Sequence, residues 1–194
     1  MNRWMAGPDG MSAPVAPAAG LVLRPMRVDD IELVAALHVA SWRTAYRGIF
    51  TDAYLDTAAE SERRAHWTRR LAAPVATHAG TVAEQDGVAV GFCYLIADAD
   101  PARGTLLDNL HVVDGARGAG LGRRLLARAA EDIEARHWPR GLHLWVFDAN
   151  TGARRFYERH GAQVVDRTVY ASADGGANAA RCYAWPDSAV LRQR

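Results

Sequence analysis

Arg117-Gly118-Ala119-Gly120-Leu121-Gly122 sets three glycines within six residues, between an apolar run, Leu106 to Val113, and a segment whose leucines recur at helical spacing. Glycines at such a point leave backbone N–H groups unshielded just where a helix begins. Unpaired amides and the positive end of the helix dipole together favour a phosphate. The spacing excludes two other phosphate loops. The dinucleotide pattern needs its third glycine one place later, and a P-loop needs a lysine after its last glycine. This chain has no lysine: all 23 of its Lys and Arg residues are arginine.

Other residues suited to chemistry flank this turn. Asp108, Asn109 and His111 precede it, though strand alternation cannot turn all three to one face. His111 has the intrinsic pKa suited to proton transfer near neutrality, and Asp108 is the other candidate base, acting through a water chain. Downstream, Asn150 to Ala162 contains Ala153, Phe156, Tyr157 and His160 on one helical face. Core packing alone produces such a stripe.

The glycine turn resembles motif A of the GNAT superfamily of acyl-CoA-dependent N-acetyltransferases, Arg/Gln-x-x-Gly-x-Gly/Ala, matched by Arg117, Gly120 and Gly122. The downstream segment resembles motif B, Asn-x-x-Ala-x-x-x-Tyr-x-x-x-Gly-Phe, through Asn150, Ala153, Tyr157 and Gly161. Ala162 stands where the family usually has phenylalanine, a departure that loses packing but no chemistry. The resemblance spans nearly everything from Leu21 to about Trp185.

It implies an N-acetyltransferase that uses acetyl-CoA as co-substrate, with no metal. The pyrophosphate would sit on the amides of Arg117, Gly118, Ala119, Gly120, Leu121 and Gly122, with Arg117 and Arg123 near the phosphates. Backbone groups of Leu110, His111 and Val112 would pair with the pantetheine arm as an added strand. The strand would be bulged there and splayed from its neighbour, and one of its N–H groups would polarise the thioester carbonyl. Asn150 would cap its helix and hold the arm. Tyr157 would protonate the departing thiolate as general acid. Direct attack by a primary amine in a ternary complex is the expected course, because neither cysteine nor any serine carries a nucleophile signature. The alternative is a non-catalytic acyl-CoA-binding module of the same fold, regulating a partner.

A third segment, Ser41-Trp42-Arg43-Thr44-Ala45-Tyr46-Arg47-Gly48, looks like the Ser-Trp-Arg-x-x-Tyr-x-Gly stretch of one GNAT group. His38, Trp42 and Tyr46 repeat every four residues, so they line one ridge. They read either as an aromatic wall for the acceptor, a cation–π surface for an ammonium, or as core. Arg63, Arg64, Arg69 and Arg70 read as a solvated face.

Composition narrows the partners. A net charge of +1 gives no footprint for nucleic acid or an anionic membrane, and no apolar run approaches a membrane span. The seven histidines show no metal-ligand spacing. Two distant cysteines and no secretory signal point to a reduced, cytoplasmic protein. The acceptor is a small-molecule or peptide amine, and exposed edge strands permit a homodimer.

The elements that must position these residues follow from periodicity and turn chemistry. A strand at Leu21 to Pro25 precedes a helix capped by Asp29 or Asp30 and ending near Tyr46. Asp52 to Leu55 suggests a helical turn, and Thr57 caps another helix to about Leu71. Asp86-Gly87 joins two strands as a hairpin. Strand Thr105 to Val113, helix Gly120 to His137, strand Leu142 to Phe147, helix Asn150 to His160 and strands Ala162 to Tyr170 and Ala180 to Trp185 complete the chain. This order requires a mixed sheet with antiparallel hairpins and parallel crossovers, covered by helices. With the resemblance, the expected fold is α/β (mixed α+β). A mostly antiparallel six- to seven-stranded sheet is flanked by about four helices. Residues 1–20 are expected as a disordered tail, 21–188 as the domain and 189–194 as a C-terminal tail.

Overall fold

The computed structural model describes residues 20–192, so the tail expected over residues 1–20 lies, but for Gly20, outside the described residues. Leu21–Pro25 is β1 and Ile31–Ala45 is α1. Asp30 sits at the start of α1, but its carboxylate does not cap it. It accepts the Arg27 N–H at 2.7 Å and pairs with Arg24 instead. The two helical pieces expected next are joined by a π-helical stretch, Tyr54–Ala58, that runs into α2, Ala59–Leu71. Thr57 is therefore inside a helix rather than at a cap, its hydroxyl donating to the Ala53 carbonyl at 2.7 Å.

β2 (His78–Gln85) and β3 (Val88–Asp100) form the Asp-Gly hairpin. Asp86 and Gly87 both take left-handed φ, 52° and 80°, the pair of angles that matches the twist of the flanking strands. β4 (Gly104–Val112), α3 (Leu121–Ala135), β5 (Leu142–Phe147), α4 (Thr151–Arg159), β6 (Gln163–Ala171) and β7 (Ala177–Trp185) follow. Among the described residues the strands make one seven-stranded sheet, ordered β1-β2-β3-β4-β5-β7-β6. Every neighbouring pair is antiparallel except β4 and β5.

Period-two alternation assigns each face its cover. On β3, Phe92 and Tyr94 turn to Val34 and Ala35 of α1 and Trp67 of α2, whereas Cys93 and Leu95 turn to Leu125 and Ala129 of α3. Leu142, Leu144 and Val146 of β5 join the α3 side, as does Tyr157 of α4. Of the C-terminal tail expected over residues 189–194, the described part, 189–192, is not free. Ser188–Arg192 forms a 3-10 turn whose Leu191, 2% exposed, enters the core containing α3.

Two departures from regular sheet shape the middle of the molecule. Tyr94 faces Asn109 but Leu95 faces Leu107, which makes Asp108 an extra residue, a bulge in β4. β4 and β5 then pair only through Thr105↔Leu142 and Leu106↔His143 before they part.

Candidate active site

The parting of β4 and β5 opens a cavity of ≈ 600 Å³, which runs from the glycine turn to α1. Gly118 and Gly120 hold φ of 82° and 77°, angles that a side chain disfavours, and Gly120 stands at the start of α3. Arg117 to Gly120 are exposed. Among the described residues, no acceptor takes up the N–H groups of Gly118, Ala119 or Gly120. The first amides of α3 add donors that no helical carbonyl can reach. The turn is thus a preformed cradle for an anion. Arg117 bonds back to it, its Nε donating to the Val112 carbonyl at 3.3 Å while its guanidinium pairs with Asp114.

Gly122 has an ordinary backbone and a different reason to lack a side chain: a Cβ there would meet the Phe156 ring of α4. That close approach brings α4 beside the turn. Asn150 caps α4 through Oδ1, which accepts the Ala153 N–H at 3.1 Å, and Asn150 and Tyr157 both line the cavity. Tyr157 is 7% exposed, and burial, then Tyr46 and Cys93, push its phenol well above the usual range. Its hydroxyl therefore stays protonated and has no protein hydrogen-bond partner among the described residues.

Leu110, His111 and Val112 line the same cavity, as do Asp108 and Asn109. His111 is half-buried, and its Nδ1 lies 2.9 Å from Ser41 Oγ on α1. Burial, reinforced by Arg117 and Arg63, pushes it down to about 3, so it is a neutral imidazole. Asp108 is differently committed. Arg70 pairs with its carboxylate at 3.1 Å and the Asn109 amide donates to it at 2.8 Å, while burial pushes its carboxyl up. Of the predicted cofactor-facing residues, Leu110, His111, Val112, Arg117, Gly118, Gly120, Leu121, Gly122, Arg123, Asn150 and Tyr157 line the cavity; Ala119 does not.

The aromatic ridge of α1 divides. Tyr46 lines the cavity, and burial pushes its phenol up to about 12. His38, 2% exposed, and Trp42, 8% exposed, belong to the interior and are absent from the cavity wall. His38 accepts from Trp67 Nε1 at 3.1 Å and packs edge-on against Trp42. The cation over the Trp42 ring is the protein's own Arg63, 4.4 Å from the ring centroid. Arg63 and Arg70 thus leave the solvated face expected of them; Arg64 and Arg69 are exposed. A helical repeat of four cannot separate these outcomes, because the ridge is defined before its neighbours are.

Sequence reasoning did not bring Ser41 to His111, nor Trp145 and Arg159 to the cavity wall. The signal for Ser41 was its place in the Ser-Trp-Arg segment, one turn from His38. Trp145 alternates with Leu144 and Val146 on β5, which leaves it on the opposite face. Among the described residues, no group of three or more His, Cys, Asp or Glu could hold a metal ion, and no helix is long and apolar enough to cross a membrane.

The glycine turn, the splayed strand pair and the Tyr157 phenol thus share one cavity. The family model of the acetyltransferase (GNAT) family matches residues 39–162. The chain is also similar to a probable N-acetyltransferase of Mycobacterium tuberculosis, 29% identical over 150 residues, covering 75% of this chain and 82% of the relative. A GCN5-related N-acetyltransferase from Rhodopseudomonas palustris shares the fold with a TM-score of 0.69 at 21% identity, covering 88% of this chain and 98% of that one. The PaiA N-acetyltransferase from Thermoplasma acidophilum, solved in complex with coenzyme A, gives 0.61 at 17% identity, covering 82% and 97%. The chain belongs to the GNAT acetyltransferase family and is an acetyl-CoA-dependent acyltransferase.

Proposed function

We propose that this protein moves acetyl from acetyl-CoA directly to a primary amine of a small molecule or peptide, within a ternary complex. The observation that carries this reading is the single cavity linking the glycine turn, Tyr157 and the α1 wall at Tyr46. The pyrophosphate lies on the amides from Gly118 to Gly122, and the pantetheine arm runs along Leu110 to Val112 as an added strand. That the similarly folded Thermoplasma acidophilum protein was solved in complex with coenzyme A supports the choice of ligand. The thioester then faces an amine held near Tyr46, Asn109 and Trp145. The amine adds to the carbonyl carbon, the C–S bond breaks, and Tyr157 gives its proton to the thiolate.

Direct transfer is favoured because both cysteines are buried away from the cavity, and burial pushes the Cys93 thiol up to about 12. The acceptor wall from Ser41, Ala45, Tyr46, Asn109 and Trp145 is neutral, and Asp108 is held by Arg70. That wall suits an amine on an otherwise uncharged body better than a polyamine, whose further ammonium groups would find no free carboxylate.

Titration calorimetry with acetyl-CoA, followed by CoA-release assays over monoamines, polyamines, aminoglycosides and short peptides, tests the proposal. Micromolar acetyl-CoA binding and release with uncharged-bodied amines is the expected result. Binding without release on any amine overturns it.

A further inference from the structure

Ser41 on α1 and His111 on β4 lie 70 residues apart in sequence, yet Ser41 Oγ and His111 Nδ1 meet at 2.9 Å, and both residues line the cavity. Two rings hold the imidazole in place. The His38 ring centroid is 4.5 Å away and that of Phe92 5.2 Å, each tilted by 37°. His38 is itself fixed by the Trp67 indole N–H. Nε2 of His111 has no hydrogen-bond partner among the described residues. One imidazole nitrogen is therefore tied to a serine, and the other is free on a residue that lines the cavity.

We propose that Ser41 is a positioning residue for acetyl transfer: it accepts the Nδ1–H of His111 and so leaves the Nε2 lone pair to take a proton from the attacking amine. This rests on the acetyl-transfer reading above. The amine lone pair forms the N–C bond while the carbonyl pair moves onto oxygen. The excess proton on nitrogen passes to His111 Nε2. The carbonyl re-forms, the C–S bond breaks, and the thiolate takes the Tyr157 proton. Imidazolium and phenolate remain, and a proton moving from the first to the second through cavity solvent restores both.

The groups around His111 keep it neutral at the start of each cycle, and they also weaken it as a proton acceptor. His38 faces it from α1, held well below its usual value by burial first and then by His111, Arg63 and His66. From α2, Arg63 acts on it directly, and His66, near His38, is held at about 4. Arg117 acts from beyond β4, and Asp108 on the same strand is engaged by Arg70. His111 therefore adds no limb to the pH profile between pH 5 and pH 9, where the rate follows the acceptor's own amine.

The experiment joins spectroscopy to kinetics. The ¹⁵N shifts of His111 in the wild-type protein are expected to report the Nδ1–H tautomer, and Ser41→Ala to lose it. In Ser41→Ala, kcat falls at least ~10-fold, part of the ~10²–10⁴-fold that a positioned proton acceptor supplies. KM for acetyl-CoA holds, and Ser41→Thr, which keeps a hydroxyl, recovers the rate. A wild-type Nε2–H tautomer overturns the proposal, as does wild-type kcat in Ser41→Ala. So does an acetyl group on Ser41 in the mass spectrum of enzyme mixed with acetyl-CoA. If the wild-type enzyme acetylates no amine, the acetyl-transfer reading itself fails, whatever the tautomer.

Discussion

Gly122 of α3 lies so near Phe156 of α4 that a Cβ built on the glycine would stand 3.0 Å from the ring's Cζ. The third glycine of the turn is thus a packing glycine, and it joins the anion cradle to the helix bearing Tyr157. Gly122→Val should force that ring aside, at a cost of about 1–3 kcal/mol for overpacking. Acetyl-CoA affinity should fall with it. Urea unfolding and titration calorimetry measure the two effects, and Gly122→Ala should give a weaker version of both.

Tyr157 is raised by burial, so it is protonated throughout the neutral and mildly alkaline range. A proton donor with a raised pKa loses its proton only at higher pH, so it contributes no basic limb below about pH 10. Tyr157→Phe should lower kcat by ~10²-fold with little change in KM for acetyl-CoA. Steady-state kinetics from pH 6 to pH 10 checks both points.

The hairpin between β6 and β7 is fastened across to the segment after α1. Asp174 Oδ2 accepts the Thr51 N–H at 2.7 Å, and the Asn178 amide donates to the Ile49 carbonyl at 3.3 Å. Through Tyr46 and Phe50 that segment backs the α1 end of the cavity. Asp174→Ala removes the exposed bond from the Thr51 N–H. It should raise KM for the amine roughly fivefold while acetyl-CoA binding holds, as separate titrations of the two substrates will show.

His38, His66 and His111 are each held below the usual value, with burial as the largest cause. In the unfolded chain they titrate near 6.5. Below that pH the unfolded chain binds protons that the folded chain refuses, so stability rises with pH across this window. The contribution is complete above pH 6.5 and is lost as pH falls towards 3. Between pH 7 and pH 4.5, His111 alone should cost about 2 kcal/mol. Urea midpoints at the two values should separate accordingly, and His111→Gln should flatten part of the slope.

Much of this site was legible because its chemistry is local. The glycine turn, the Asn150 cap and the limits of β5 depend on near neighbours in sequence, and they stand where periodicity puts them. What escaped depends on partners far along the chain. The bulge in β4 was implied by the family resemblance alone, and its place at Asp108 is decided by the register of β3 against β4, which no single strand records. Arg63 and Arg70 read as solvated because charged runs are mostly solvated, yet Trp42 and Asp108 supply a ring and a carboxylate from other elements. The Ser41–His111 contact exists only once α1 is laid across β4. Leu191 shows the same effect at the chain's end, where one apolar side chain draws in a segment with no pattern of its own.

Among the described residues, two ladder pairs, Thr105 with Leu142 and Leu106 with His143, join the β1-to-β4 half of the sheet to the β5-β7-β6 half. A coenzyme arm lying along Leu110 to Val112 would stitch the seam beyond those rungs. Loading the enzyme and stiffening it then become the same event. Amides flanking the opening should exchange slowly once the guest is bound, and the bare protein should begin to yield to heat or protease along that line.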